Sequence, residues 1–274
     1  MMQYKKKLKH FLRSIKKRVL GRPLFDGRVR AYLTLRCNLN CEFCVNTYID
    51  GDLKLHDYQL LSPAQWIRIF NSLGRDIVIS GGEPFLYPGL DEIILGVNPK
   101  LDITIYSNLK VPLKEDISWL RRKGLAMYLS YHPSYGDDAV FIKNLRLLKQ
   151  YKVPFTIHAI NIIGREKLEK MCADKLRGEA PPIIIDKDQR KLFESSSKKF
   201  KKRVRCQRRI ILIAPDGYRY QCVSRMVRRV APLENLLTES FSGECRTADC
   251  GDYGYCAPCD GLGEIKQTPV PTEI

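Results

Sequence analysis

The sequence predicts an α/β fold: a partial (β/α)6 barrel followed by a small cysteine-rich extension that starts with a β-hairpin. Three observations carry that expectation. From Arg28 to about Asp188, short β-branched and aromatic runs alternate with amphipathic helical stretches. There are six such runs with five helices between them, which implies parallel β/α units and fits an open six-stranded barrel better than a full eight. Beyond them the composition changes to a basic run, a hairpin pattern and a segment crowded with Gly, Cys and Asp. The expected divisions are residues 1–27, 28–190 and 191–274.

Residues 1–27 stand apart. "MMQYKKKLKHFLRSIKKRVL" sets Tyr4, Leu8, Phe11, Leu12, Ile15 and Val19 at helical spacing, with Lys and Arg on the other face. Two readings are open. One is an interfacial helix, residues 1–20, on an anionic membrane surface; the other is a helix packed on the main domain with its basic face in water. The expected strands are "VRAYLTL", "DIVIS", "LDITIYS", "LAMYLSY", "PFTIHAINI" and "PPIIID". The expected helices are "SPAQWIRIFNSL", "PGLDEIILGV", "EDISWLRRKG", "DAVFIKNLRLLKQY" and "REKLEKMCADKL". Ser62 followed by Pro63 reads as an N-cap with Pro at the first helical position. In the last section, "RIILIAPDGYRYQCV" reads as a hairpin turning at Pro-Asp-Gly. "CRTADCGDYGYCAPC" is too rich in Gly, Cys and Asp to pack as an ordinary core, and the tail after Gly263 is expected to fray.

With 44% apolar residues in 274, the chain can bury a sizeable core. Its net charge of +17 favours polyanions: phosphate-bearing substrates, nucleic acid or an anionic membrane. No interleaved aromatic and basic pattern of the RNA-recognition kind is present, so nucleic acid is not the expected partner. No apolar signal segment follows the basic N-terminus, and no run approaches the ~18–20 residues of a membrane span. A cytoplasmic location is expected, peripheral on the inner face of the membrane if the first helix is an anchor. Ten cysteines in such a chain read as metal ligands before disulfides.

"LRCNLNCEFC" places Cys37, Cys41 and Cys44 in a C-x3-C-x2-C spacing just after the first strand. Three thiolates can hold three irons of a four-iron cluster and leave the fourth open. A zinc ion borrowing a distant fourth ligand is the alternative. Active sites in parallel sheets sit at the carboxyl ends of the strands, where this loop falls. "SGGEP", after the second strand, offers Gly81 and Gly82 for close backbone approach to a ligand and the Glu83 carboxylate, suited to an amino group; an ordinary strand-to-helix turn is the alternative. Thr104, Tyr106 and Asn108 share one strand face, and Tyr128, Ser130 and His132 another, as a polar lumen would require. His132 and His158 are candidate general acids or bases, or hydrogen-bonded structural residues. Cys172, in a helix, reads as a buried apolar residue.

Together the two motifs resemble the radical S-adenosylmethionine enzymes over roughly residues 28–190. Cys37, Cys41 and Cys44 match that family's cluster motif, with Phe43 at its aromatic position, and Gly81, Gly82 and Glu83 match its glycine-rich motif. The resemblance implies a core [4Fe-4S] cluster whose open iron chelates S-adenosylmethionine, and cleavage to a 5′-deoxyadenosyl radical that takes hydrogen from a substrate. It also implies that Ser107 and Asn108 lie by the ribose, Ser130 by the methionine carboxylate, and Phe43 and Asn161 by the adenine.

Cys206-x10-Gly217-x4-Cys222 resembles the opening of the auxiliary-cluster extensions called SPASM and twitch, and Cys256-x2-Cys259 resembles the closing pair of a twitch. The resemblance implies that these four cysteines ligate one auxiliary [4Fe-4S] cluster; zinc is the alternative. With the turn at Asp216-Gly217, Cys222 falls opposite about residue 211 and ~16 Å along an extended strand from Cys206, so the chain must bend before Arg209. Cys245 and Cys250 are left over: with Cys256 they could partly ligate a second cluster, or either could be the thiol that returns a hydrogen atom in an epimerisation. The implied activity is a radical oxidoreductase on a small polar or phosphorylated substrate, a carbohydrate or cyclitol, fed by flavodoxin or ferredoxin. An epimerase, a peptide-modifying maturase and an RNA-modifying enzyme are the alternatives.

Overall fold

The computed structural model describes residues 27–41, 44, 58–114, 116–133, 135–159, 162–176, 183–185, 202–208, 211–243, 246–253 and 265–269. Six parallel strands lie in the order β6-β5-β4-β3-β2-β1. They are β1 (Val29–Tyr32), β2 (Ile77–Ser80), β3 (Ile103–Ser107), β4 (Leu125–Tyr131), β5 (Phe155–Ala159) and β6 (Ile183–Ile185), and each falls within an expected run. The sheet is open and mostly parallel, as a partial barrel requires.

Four of the five expected helices cover one face: α1 (Pro63–Leu73), α2 (Leu90–Gly96), α3 (Asp138–Gln150) and α4 (Ile162–Leu176). The start of α1 is a capping box, with Ser62 Oγ accepting from Gln65 N and the Gln65 side chain accepting from Ser62 N. Between β3 and β4 only a 3-10 turn forms, Ser118–Arg121. There the Arg122 guanidinium donates to the carbonyls of Val97, Asn98 and Leu101, which pulls the chain away before a helix can extend.

Period-two burial sorts the strand residues. In β4, Leu125, Met127, Leu129 and Tyr131 are buried and Ala126, Tyr128 and Ser130 are half-buried. The buried set joins Trp66, Phe70, Ile93, Ile94, Phe141 and Leu145 from the helices in one continuous core. Cys172 is buried in that core. The alternate set faces the inside of the barrel.

The expected hairpin is present, and its strands join the barrel sheet. Its first strand, β8 (Ile211–Ile213), runs parallel to β1, with Arg30 opposite Leu212, and β9 (Arg219–Tyr220) closes antiparallel on β8. The barrel sheet therefore has eight strands. The reason is in the residues: Ile211, Leu212 and Ile213 are all fully buried, an apolar triplet that needs cover on both faces. A short helix, α5 (Val223–Val227), follows, and its Met226 and Val227 pack with Leu212, Tyr220, Tyr32 and Val78 on the inner side.

A second, three-stranded antiparallel sheet has the order β10-β7-β11, formed by β7 (Lys202–Arg208), β10 (Arg246–Tyr253) and β11 (Ile265–Pro269). The Gly- and Cys-rich segment holds a strand, with its register shift between Cys250 and Tyr253 where Gly251 intervenes. One expectation is corrected here: the tail expected to fray forms β11. Cys206 lies in β7 of this second sheet, and Cys222 follows β9 of the barrel sheet. The proposed helix of residues 1–27 falls almost wholly outside the described residues. Among the described residues no helix is long and apolar enough to cross a membrane.

One buried ion pair pins residues 230–243 to the hairpin. Arg219 is 1% exposed; its Nε lies 2.8 Å from Glu234 Oε1, and its two terminal nitrogens donate to Glu234, Ser242 and Gly243. Arg219→Met leaves the Glu234 carboxylate buried without its cation. A loss of about 3–5 kcal/mol in urea unfolding is expected, as for other broken buried pairs. A loss below about 1 kcal/mol would show that this segment is held by packing alone.

Candidate functional site

Two loops leave the carboxyl ends of β1 and β2 and press against each other. Gly82 N donates to Thr34 O at 2.9 Å and Glu83 N to Arg36 O at 2.8 Å. Gly81 has φ +139°, and a Cβ on it would stand 2.2 Å from Thr34 O; on Gly82 it would stand 2.0 Å from Arg36 O and 2.5 Å from Leu35 O. The two glycines therefore make room for the cysteine loop itself.

Glu83 turns inward. It is fully buried; Oε1 accepts from Ser107 Oγ at 2.8 Å and Phe85 N at 3.1 Å, and Oε2 accepts from Asn108 N at 2.8 Å. Burial pushes its carboxyl up to about 7 in spite of those donors. Its visible work is to tie the β2 loop to the β3 loop.

The β3 loop reaches back to the cysteines. Leu109 adopts φ +55°, a conformation costly for a non-glycine residue, and Asn144 of α3 holds it by donating to Leu109 O and Val111 O at 3.0 and 2.7 Å. Asn108 and Lys110 lie either side of that kink. The Asn108 amide donates to Asn38 Oδ1 at 2.9 Å and lies 3.7 Å from Cys37 Sγ. Ser107 and Asn108, expected beside a ribose, thus both have protein partners.

Cys37 is exposed, Cys41 buried and Cys44 half-buried. Cys37 Sγ accepts from Leu39 N at 3.4 Å, Cys44 N donates to Cys41 O at 3.0 Å, and Cys41 and Cys44 pack with Leu39 and Tyr135. Burial, then the neighbouring Cys44 and Cys37 sulfurs, push the Cys41 thiol up to about 12. A metal must displace that proton to bind. His132 Nδ1 lies 3.4 Å from Cys41 Sγ; burial and then the Lys110 charge push His132 down to about 4, so its ring is neutral near pH 7. Among the described residues no three His, Cys, Asp or Glu side chains gather closely enough to hold a single metal ion. Three thiols spaced around one loop fit instead a polynuclear group in which each iron takes one thiolate.

The family model described as the Radical SAM superfamily matches residues 32–171, about half of the chain, from the end of β1 into α4. The chain belongs to the radical SAM superfamily. The GTP 3′,8-cyclase of Aquifex aeolicus is 38% identical over 113 residues, 39% of this chain and 34% of that protein. The GTP 3′,8-cyclase of Staphylococcus saprophyticus is 39% identical over 85 residues, 29% of this chain and 24% of that protein. The chain thus spans about a quarter to a third of the length of these curated relatives. Among solved structures, Streptococcus suis SuiB bound to precursor peptide SuiA aligns with a TM-score of 0.50 and 14% identity over 86% of this chain and 66% of that one, a likeness of fold.

Below the cluster loop, the inner face of this radical SAM protein carries a row of rings across three strands. Tyr106 and Tyr128 are opposite in register with centroids 4.8 Å apart, and Tyr128 and His158 are 3.8 Å apart. Ser130 pairs with His158, and the Arg30 guanidinium stands 6.0 Å from the Tyr106 ring. Arg30 was not singled out from the sequence, although its place between Val29 and Ala31 in a period-two strand puts it on the inner face. Lys110 was also missed, because a lone Lys in a loop carries no signal.

Phe43, Asn161, Cys245, Cys256 and Cys259 lie outside the described residues. Cys206 pairs with Ala248, and Cys250 with Val204 two positions along the same strands. Cys222 is half-buried ahead of α5, its Sγ accepting from Arg225 N at 3.4 Å. Because β9 runs antiparallel to β8, it carries the chain toward the amino ends of the parallel strands, away from Cys37.

Proposed function

We propose that this radical SAM enzyme takes a hydrogen atom from a small polar, phosphate-bearing substrate on the inner face of the barrel, and that the net reaction oxidises a carbohydrate or cyclitol alcohol. The observation that carries the substrate class is Arg30, a cation inside the barrel beside the Tyr106 ring. Cys37, Cys41 and Cys44 would hold the core cluster, and Gly81, Gly82, Glu83, Ser107 and Asn108 form the shelf beside it. Ser130 would meet the methionine carboxylate, and Phe43 and Asn161 the adenine. When bound, the cluster and S-adenosylmethionine supply a 5′-deoxyadenosyl radical as hydrogen acceptor. His158, on the inner face, would take the alcohol proton. Cys206, Cys222, Cys256 and Cys259 would hold one auxiliary cluster, which gives an oxidation its electron acceptor; flavodoxin or ferredoxin would feed the core. If Cys245 or Cys250 returned a hydrogen atom instead, the outcome would be epimerisation.

The test measures 5′-deoxyadenosine formed with sugar phosphates, the matching free sugars, GTP and peptides. Sugar phosphates should stimulate cleavage and yield a product two hydrogens lighter. Arg30→Met should raise KM for them about 10- to 100-fold, the loss of a charge-assisted contact of about 1.5–3 kcal/mol. Equal stimulation by the free sugars, or an unchanged KM in Arg30→Met, would sink the phosphate reading. A second reading is nucleotide cyclisation. It is favoured by the identity with proteins named for acting on GTP, and by rings on which a base could stack. Stimulation by GTP alone would select it.

A further inference from the structure

His132 and Lys110 form a device behind Cys41 that hydrogen abstraction does not use. His132, Tyr135 and Gly136 lie between β4 and α3. Lys110 Nζ, on a side chain with 0% exposure, donates to His132 O at 2.8 Å, to Tyr135 O, and to Asp138 Oδ1 at 2.9 Å. Those three acceptors use the three ammonium protons. Asp138 Oδ2 is shared by Lys167 at 2.7 Å and the Tyr131 hydroxyl at 3.1 Å, so one carboxylate sits between two ammonium groups and the cluster of charges stays positive. At Gly136 an added Cβ would stand 2.7 Å from Leu39 and 2.9 Å from Lys110, so this turn lies directly on the cysteine loop. The His132 backbone is fixed by these contacts, and its Nδ1 stands 3.4 Å from Cys41 Sγ. A thiolate bound to iron only accepts, so the contact requires the proton to be on Nδ1.

We propose that His132 donates a hydrogen bond to the ligand sulfur of Cys41, and that this bond, with the Lys110 ammonium behind it, sets the reduction potential of the core cluster. The inference rests on the reading of Cys37, Cys41 and Cys44 as cluster ligands. Reduction adds one electron to the cluster. A donor on a ligand sulfur and a buried cation nearby both stabilise the more negative form and raise the potential. His132 is then a positioning residue for the electron-transfer step and does not touch the substrate.

The test reconstitutes wild type, His132→Phe and His132→Gln anaerobically, counts iron, and titrates against potential, without S-adenosylmethionine, the electron-paramagnetic-resonance signal that the Cys37/Cys41/Cys44 alanine variant lacks. Equal iron is expected, with a lower midpoint for Phe and a midpoint restored toward wild type for Gln, whose amide can donate. A residue that merely packed would not move the midpoint. Equal midpoints for wild type and His132→Phe at equal iron would overturn the inference. If His132→Phe loses iron, His132→Leu takes its place. Loss of iron in both apolar variants but not in Gln would show that His132 holds the loop, and would overturn the tuning role. A wild type with no four-iron signal would overturn the cluster reading beneath it as well.

Discussion

Replacing Cys37, Cys41 and Cys44 together by alanine should reduce cleavage of S-adenosylmethionine to 5′-deoxyadenosine to background. The three thiols come from one loop at the carboxyl end of β1, and among the described residues no other side chains gather there to ligate metal in their stead. On the proposed ligand set, the triple variant would keep no thiolate there to hold the core cluster. Wild-type protein should carry about eight irons and the triple variant about four, on the stoichiometry of one core and one auxiliary four-iron cluster. The two measurements separate two claims. Undiminished cleavage by the triple variant would remove the core cluster from the chemistry. Cleavage lost with no iron left in the variant would keep the core and remove the auxiliary cluster, and with it the electron acceptor of an oxidation. Zinc in place of the residual iron would make the second sheet a structural unit.

Much of the barrel was legible because periodicity is a local property. The run Leu125–Tyr131 alternates, and each alternate residue is buried. The helix expected between β3 and β4 failed for a non-local reason: Arg122 finds three carbonyl partners on the neighbouring connection. The hairpin was legible, but its attachment was not. Nothing in "RIILIA" says that its strand lies alongside β1; that follows only from which sheet edge is open. The site divides the same way. Cys37, Cys41 and Cys44, together with Gly81, Gly82 and Glu83, stood out by spacing. The roles of the glycines and of Glu83 depended on partners brought in by the fold: the carbonyls of residues 34–36, and the donors Ser107 and Asn108. Lys110 had no sequence signal, since its placement comes from a left-handed kink at Leu109 that the Asn144 side chain sustains.

Gly82→Ala should cost the protein its core cluster with all three cysteines intact. The added methyl would lie 2.0 Å from Arg36 O and 2.5 Å from Leu35 O. Both are backbone atoms of the cysteine loop, so no side-chain rotation can relieve the contact. Either the β2 loop withdraws and gives up the bond from Glu83 N to Arg36 O, or residues 35–36 move and carry Cys37 with them. The first course also strains the Glu83 carboxylate, which holds the β3 loop and, through Asn108, the neighbourhood of Cys37. The destabilisation should reach or exceed the ~1–3 kcal/mol of ordinary overpacking, because backbone cannot repack as side chains do. The expected result is a lower urea midpoint, about four irons per chain where wild type holds about eight, and loss of 5′-deoxyadenosine formation. Gly96→Ala is the control. Its Cβ would also crowd a neighbour, at 2.4 Å, but that neighbour is the far end of the Ile67 side chain, which can turn aside. Gly96→Ala should therefore keep its iron and its cleavage activity. If Gly82→Ala behaves like Gly96→Ala, the contact between the two loops does not set the position of the cysteines, and the glycines would revert to serving a ligand.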